Sequence, residues 1–187
     1  MGRLVMISMT TAPQDRRRIG ARSTGSVGLP DAAVERAAIE RFYELLFLQD
    51  HEQILDLVTA DVRFHAPWQL PGLPDTIQGR AELGESMLWW SAELWQPGSL
   101  CRIAVRPFAA PHSWFANIEG DFTAVESQRH YHATFLSEIR FQDGQIAEVQ
   151  QHHNTLNQII ALGADVPGIN VPGYGVAAHR DCATEVA

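Results

Sequence analysis

The order of periodicities along the 187-residue chain predicts an α+β domain, a cone-shaped curved antiparallel sheet or α+β barrel wrapped around about three N-terminal helices. Helical spacing governs the chain up to Trp95, and strand-like alternation governs it from about residue 100 to His153. Asp143-Gly144 supplies a two-residue hairpin signal between the last two strands.

The elements follow in order. Residues 1–30 mix Met, Arg, Gly, Ser and Thr without period and read as a disordered leader. From Asp31, Val34, Ala37, Ala38, Phe42, Leu45, Leu46 and Leu48 recur at helical spacing, with Pro30-Asp31 at the start. A short second helix covers Glu52 to Val58. Val62, Phe64 and Ala66 alternate with Arg63 and His65 in a strand that Pro67 closes. After a Pro-rich loop, Ile77-Gln78-Gly79 leads into a helix over Arg80 to Trp95, with Leu83, Met87, Leu88, Trp90 and Leu94 inward and Pro97-Gly98 as its stop. Strands are expected at about 100–108, 112–124, 129–142 and 145–153. Asn154 caps a last helix that Gly163 ends, and 164–187 form a tail, leaving 31–163 as the domain.

Composition narrows the partners. A formal charge of −8 argues against nucleic acid, whose phosphates need a basic face. No apolar run approaches the roughly 18 residues of a membrane span. Arg16-Arg17-Arg18 lacks the apolar stretch of an export signal, and two cysteines, Cys101 and Cys182, suit a reducing compartment. A cytoplasmic location is expected. No Gly-rich phosphate loop and no nucleophile elbow is present.

The ADVRFHAPW strand, the IQGR helix entry, the DGQI hairpin and the stretch NTLNQIIALGADVPGI resemble the nuclear transport factor 2-like (SnoaL-like) superfamily. The last stretch is similar to the phenazine-biosynthesis A/B branch, and the likeness runs over residues 34–169. It implies a homodimer that works on metabolic intermediates by acid/base chemistry without a cofactor. Two departures stand out. Where ketosteroid isomerase relatives carry an Asp base, this chain has Ala66; where the phenazine branch carries a Glu, it has Gln151, which exchanges no proton.

A two-residue turn at Asp143-Gly144 sets Leu136 opposite Gln151 and Thr134 opposite His153. Alternation then puts His130, His132, Thr134, Leu136, Val149, Gln151 and His153 on one face, and Tyr131, Phe135, Ile139, Phe141, Ile146 and His152 on the other. The resemblance turns the Gln151 face to the pocket and leaves the aromatic face for a dimer interface; a one-residue slip reverses this. His153 and His132 are the candidate proton carriers, because imidazole titrates near neutrality, against the duller reading of exposed strand ends. His130, His132 and His153 also have a spacing that a metal could use, but no carboxylate or cysteine joins them in sequence, and no metal is assigned. Gln151 and Thr134 are assigned to the oxyanion, and Trp68, Trp89 and Trp90 to a flat ligand, although bulk in the core is the simpler and favoured explanation for the Trp residues. His65 points away from Val62, Phe64 and Ala66 and is a weaker candidate. Glu119 and Asp121 share a face, where one carboxylate could stay protonated in a dry cavity or both could lie exposed.

The expected function is cofactor-independent isomerisation, cyclisation or condensation of a carbonyl or conjugated intermediate of secondary metabolism. The rivals are a non-catalytic binding protein and a hydrolase or dehydratase using Glu119 or Asp121.

Overall fold

The structure, a computed structural model, describes residues 29–67 and 73–165. Residues 1–28 of the expected leader, the tail beyond residue 165, Trp68 and Cys182 lie outside them, whereas Leu29 and Pro30, expected in the leader, belong to the first helix. Helix α1 (Leu29–Leu48) and α2 (His51–Leu57) lead into β1 (Val58–His65) and β2 (Thr76–Gln78). Helix α3 (Arg80–Trp89) continues as a π-helical turn, Trp90–Leu94, before β3 (Trp95–Pro107), β4 (Ser113–Ala124), β5 (His130–Gln142), β6 (Gln145–His153) and α4 (Thr155–Ala161). The six strands form one sheet in the order β2-β1-β6-β5-β4-β3. It curves over the helices without closing: β2 and β3 are its edges. All its pairs are antiparallel except β1 with β6, which run parallel, so the sheet is mixed rather than antiparallel throughout.

Helix α1 buries Phe42 and Leu45 as expected, but the rest of its buried stripe is shifted by one position. Glu35, Ile39, Phe42, Tyr43 and Phe47 are buried, while Val34 and Leu48 are exposed. The reason sits at the first turn. The Glu35 carboxylate accepts hydrogen bonds from Trp114 Nε1 at 2.7 Å and His112 Nδ1 at 2.5 Å, which rotates an acidic residue inward. At the other end, the Phe47 ring stacks on Phe122 at a centroid distance of 4.4 Å. That contact requires Gly120, where a Cβ would stand 2.2 Å from the Phe47 ring.

Strand β3 begins five residues earlier than its expected start. Pro97 did not stop the chain from pairing because β3 is an edge strand, where a missing N–H costs no ladder bond. In α3, Leu83 and Met87 are buried as expected, but Leu88, which precedes the π-helical turn and stands a little over a quarter-turn round the helix from Met87, is exposed.

The β5–β6 hairpin decides the cavity. Its tip pairs as expected, with Gln142 opposite Gln145 and Phe141 opposite Ile146. Then Ala147 is bulged out. From Arg140 opposite Glu148 onward the register is one residue off, so Ser137 faces Gln151 and Phe135 faces His153. Ile146, Val149 and Gln151 therefore all point inward, together with Tyr131, Phe135, Ile139 and Phe141 of β5. The aromatic face of β5 lines the interior and is not an outer dimer surface. His132, Thr134 and Leu136 lie on the opposite, exposed face.

Candidate functional site

Between the sheet's concave face and the helices lies a cavity of about 90 Å³, room for a few waters or for the reacting end of a small molecule. Strand β6 brings Gln151 and His153 to it, β5 brings Tyr131 and Phe135, and the π-helical turn brings Trp90 and Ser91. The α1–α2 turn adds Gln49 and His51, and α4 adds Gln158. Aromatic rings make the walls: Trp95 stacks on Tyr131 at 4.9 Å, and Phe64 meets Trp90 edge-on at 5.9 Å. No lining residue carries a carboxylate, ammonium or guanidinium.

Four polar atoms of this lining are buried without a hydrogen-bond partner: His51 Nδ1, Tyr131 Oη, His153 Nε2 and Gln158 Oε1. A buried polar atom left unpaired costs about 1–3 kcal/mol, so four around one cavity mark it as a place where a ligand or ordered water completes the bonding. Burial pushes the Tyr131 hydroxyl well above the usual phenol range and keeps it a donor. Burial also lowers the His153 pKa; the Gln158 side chain, near enough to bond the charged ring though not in hydrogen-bond geometry here, opposes that shift, and a charge on the neighbouring His152 would add to it. His153 is thus neutral at pH 7 and can accept a proton. Its ring meets Phe135 edge-on, with centroids 6.5 Å apart.

Gln151 is held from behind. Tyr43, fully buried, donates its hydroxyl to Ser137 Oγ at 2.6 Å and lies 3.4 Å from Gln151 Oε1. Burial raises the Tyr43 pKa far above ordinary, so that contact is made by a neutral hydroxyl.

Of the residues singled out from sequence, the structure brings His153, Gln151 and Trp90 into this cavity and leaves others outside. His132 and His130 bond Asp121 Oδ1, at 2.8 and 3.1 Å, on the outer face of the sheet. Thr134 and Leu136 share that face. The three histidines therefore do not converge, and no group able to hold a metal ion is found among the described residues. Glu119 pairs with Arg102 at 3.6 Å and also faces outward, which removes the carboxylates a water-activating mechanism needs. His65 is turned aside to Asp75 O and Thr76 Oγ1, both at 2.9 Å. Trp89 is exposed beside the cavity rather than in it. Cys101, which also lies outside, is not a free thiol, against the expectation of two reduced cysteines.

Alternation alone hid Tyr131 and Phe135, because Ala147 gives no local sign of a bulge. His51, Ser91 and Gln158 were missed too. A polar Leu-Gln-Asp-His run between two apolar helices was the available sign for the first.

Ala66 and Gln151, the positions where the resemblance implied a carboxylate, both line the cavity. A family model described as a SnoaL-like domain matches residues 39–149. Among solved structures, a candidate isomerase from Bacillus subtilis superposes with a TM-score of 0.66 at 19% identity, over 72% of this chain and 96% of that one. A phenazine biosynthesis-related protein from Pseudomonas aeruginosa gives 0.63 at 19% identity, over 82% and 96%. A candidate polyketide cyclase from Xanthomonas campestris pv. campestris gives 0.58 at 17%, over 71% and 98%. No curated protein sequence matches the chain significantly. No helix among the described residues is long and apolar enough to cross a membrane.

Proposed function

We infer, from the premise that this chain belongs to the SnoaL-like domain family, that its cavity isomerises or cyclises a small conjugated carbonyl compound by histidine acid/base chemistry. The observation that carries the reading is the pairing, in one uncharged cavity, of an unpartnered neutral imidazole with an unpartnered hydroxyl donor, His153 Nε2 and Tyr131 Oη. His153 takes a proton from a carbon conjugated with the carbonyl. The C–H electron pair moves through the conjugated system onto oxygen, where the Tyr131 hydroxyl donates to the developing oxyanion. The imidazolium returns the proton at another carbon, or the carbanion closes on a second carbonyl and the proton goes to the new alkoxide. Tyr131 stands four residues from Phe135, the partner of His153, roughly 13 Å along the strand. That spacing suits a long, flat substrate held among Trp90, Trp95 and Phe122.

Hydrogen–deuterium exchange at carbon tests it. Cyclic enones incubated with the protein in D₂O should gain deuterium, and His153→Gln should slow that gain about 100- to 10,000-fold. Unchanged exchange in the variant sinks the assignment of His153. The second reading, a protein that binds such compounds without turning them over, is favoured by Ala66 and Gln151 standing where the resemblance implied a carboxylate; enone binding without exchange would establish it.

Homodimerisation through the outer sheet face, a cytoplasmic location and a role in secondary metabolism belong to the same proposal. Leu136, 43% exposed at the centre of that face, would be covered in the dimer, and Leu136→Asp should convert a dimer to a monomer in analytical ultracentrifugation.

A further inference from the structure

The chain leaves α1 through a turn in which Gln49 adopts φ +60, and Asp50 caps α2 by accepting from Gln53 N. This turn carries His51 to the cavity wall. Opposite it, α3 widens into the π-helical turn, a distortion often found at functional sites. Ser91 sits on that turn. Its Oγ lies 3.0 Å from Met87 O and 2.7 Å from His51 Nε2.

The serine hydroxyl has one hydrogen, and the Met87 carbonyl can only accept. With that hydrogen given to Met87, Ser91 must accept from His51, which places the imidazole proton on Nε2 and a lone pair on Nδ1. That Nδ1 is buried and has no partner. Burial also favours the neutral ring over the charged one, against the pull of Asp50.

We propose that His51, its tautomer set by Ser91 and Met87, is a specificity-determining acceptor that selects ligands bearing an O–H or N–H donor. A neutral enol, phenol or hydroxyl group satisfies Nδ1; an ether or a carbonyl leaves its lone pair unpaired and is discriminated against. The proposal rests on the cavity being a ligand site. It gives that site a second function apart from proton transfer at His153, and it narrows the substrate to conjugated carbonyl compounds that also carry a donor.

A matched pair of probes tests it: 1-naphthol, which has the donor, and 1-methoxynaphthalene, which does not. Their affinities for the full chain are measured by tryptophan fluorescence and calorimetry. Wild type should prefer the naphthol about 3- to 10-fold, the worth of one net hydrogen bond. His51→Phe should bring the ratio near one. His51→Asn, whose amide oxygen can stand near the place of Nδ1, should keep part of the preference. Ring ¹⁵N shifts of the histidines give a second readout that needs no ligand, and they should report Nε2–H at His51, with loss of that bias in Ser91→Ala. An Nδ1–H tautomer in wild type, or a preference that survives His51→Phe, overturns the proposal. Equal binding of both probes to wild type overturns the role of His51 alone; binding of neither overturns the cavity reading and this inference with it.

Discussion

Tyrosine 131 and tyrosine 43 offer a controlled comparison, because both are buried and both have raised pKa values, yet their hydroxyls have opposite fates. Tyr43 donates to Ser137 at 2.6 Å, and Ser137 is itself fully buried. Tyr131 has no partner. Removing the Tyr43 hydroxyl strands Ser137 Oγ and should cost about 1–3 kcal/mol. Removing the Tyr131 hydroxyl deletes an unpaired polar atom and leaves its ring stacked on Trp95, so Tyr131→Phe should gain about 1 kcal/mol. The two variants should therefore differ by about 3 kcal/mol, which in a chain of this size separates their thermal midpoints by about 6–12 °C. Thermal and urea unfolding followed by circular dichroism measures both. The same Tyr131→Phe protein should lose deuterium exchange into enones, since its oxyanion donor is gone. The reasoning is refuted if Tyr131→Phe is destabilised as much as Tyr43→Phe, for that would mean the hydroxyl already has a partner in the folded chain.

Three further outcomes follow from the same geometry. The folded-state pKa values of His153 and His51 lie below the ordinary 6.5, so below that pH the unfolded chain binds more protons; stability should be full above pH 6.5 and fall as pH drops through the folded values. Urea midpoints between pH 8 and 5 check this, and His153→Gln should flatten the dependence. Gly120→Ala, which forces a methyl group into the Phe47 ring and within 2.7 Å of Ser99 O, should cost about 1–3 kcal/mol or more, and pairing it with Phe47→Leu should recover part of that loss in a double-mutant cycle. Glu35→Ala leaves the indole N–H of the buried Trp114 without its Glu35 acceptor and should destabilise by about 1–3 kcal/mol in urea unfolding.

The sequence disclosed element types more fully than their facing. Period alone marked out the helices and strands, because Phe42 and Leu45 on α1 and the alternating residues of β5 carry strong patterns. What it could not give was parity. Ala147 is an ordinary strand residue with nothing to mark it as unpaired, yet it moves Tyr131 and Phe135 inside and His132 and Thr134 outside. The local rule was right on each side of the bulge and wrong across it. His51 was out of reach for another reason: it depends on a non-glycine residue, Gln49, taking a positive φ, and on a π-helical turn that brings Ser91 to meet it. Both are tertiary choices with no periodic trace. The outward turn of Asp121 and Glu119 followed from the same alternation, once β4 was registered against β5.

The bulge at Ala147 also insulates the cavity from the hairpin tip. Residues near the turn are counted from Asp143-Gly144, and residues at the cavity are counted from the far side of the extra residue, so the two ends of one hairpin obey separate numbering. Lengthening or trimming the tip leaves Gln151 and His153 where they are for as long as the bulge persists. Losing the bulge would exchange the sides of β6 at a stroke, bringing Gln150 and His152 inward without changing any other residue. Deleting Ala147 itself would do the opposite and keep the lining, because Arg140 opposite Glu148 would then directly continue the register of the tip.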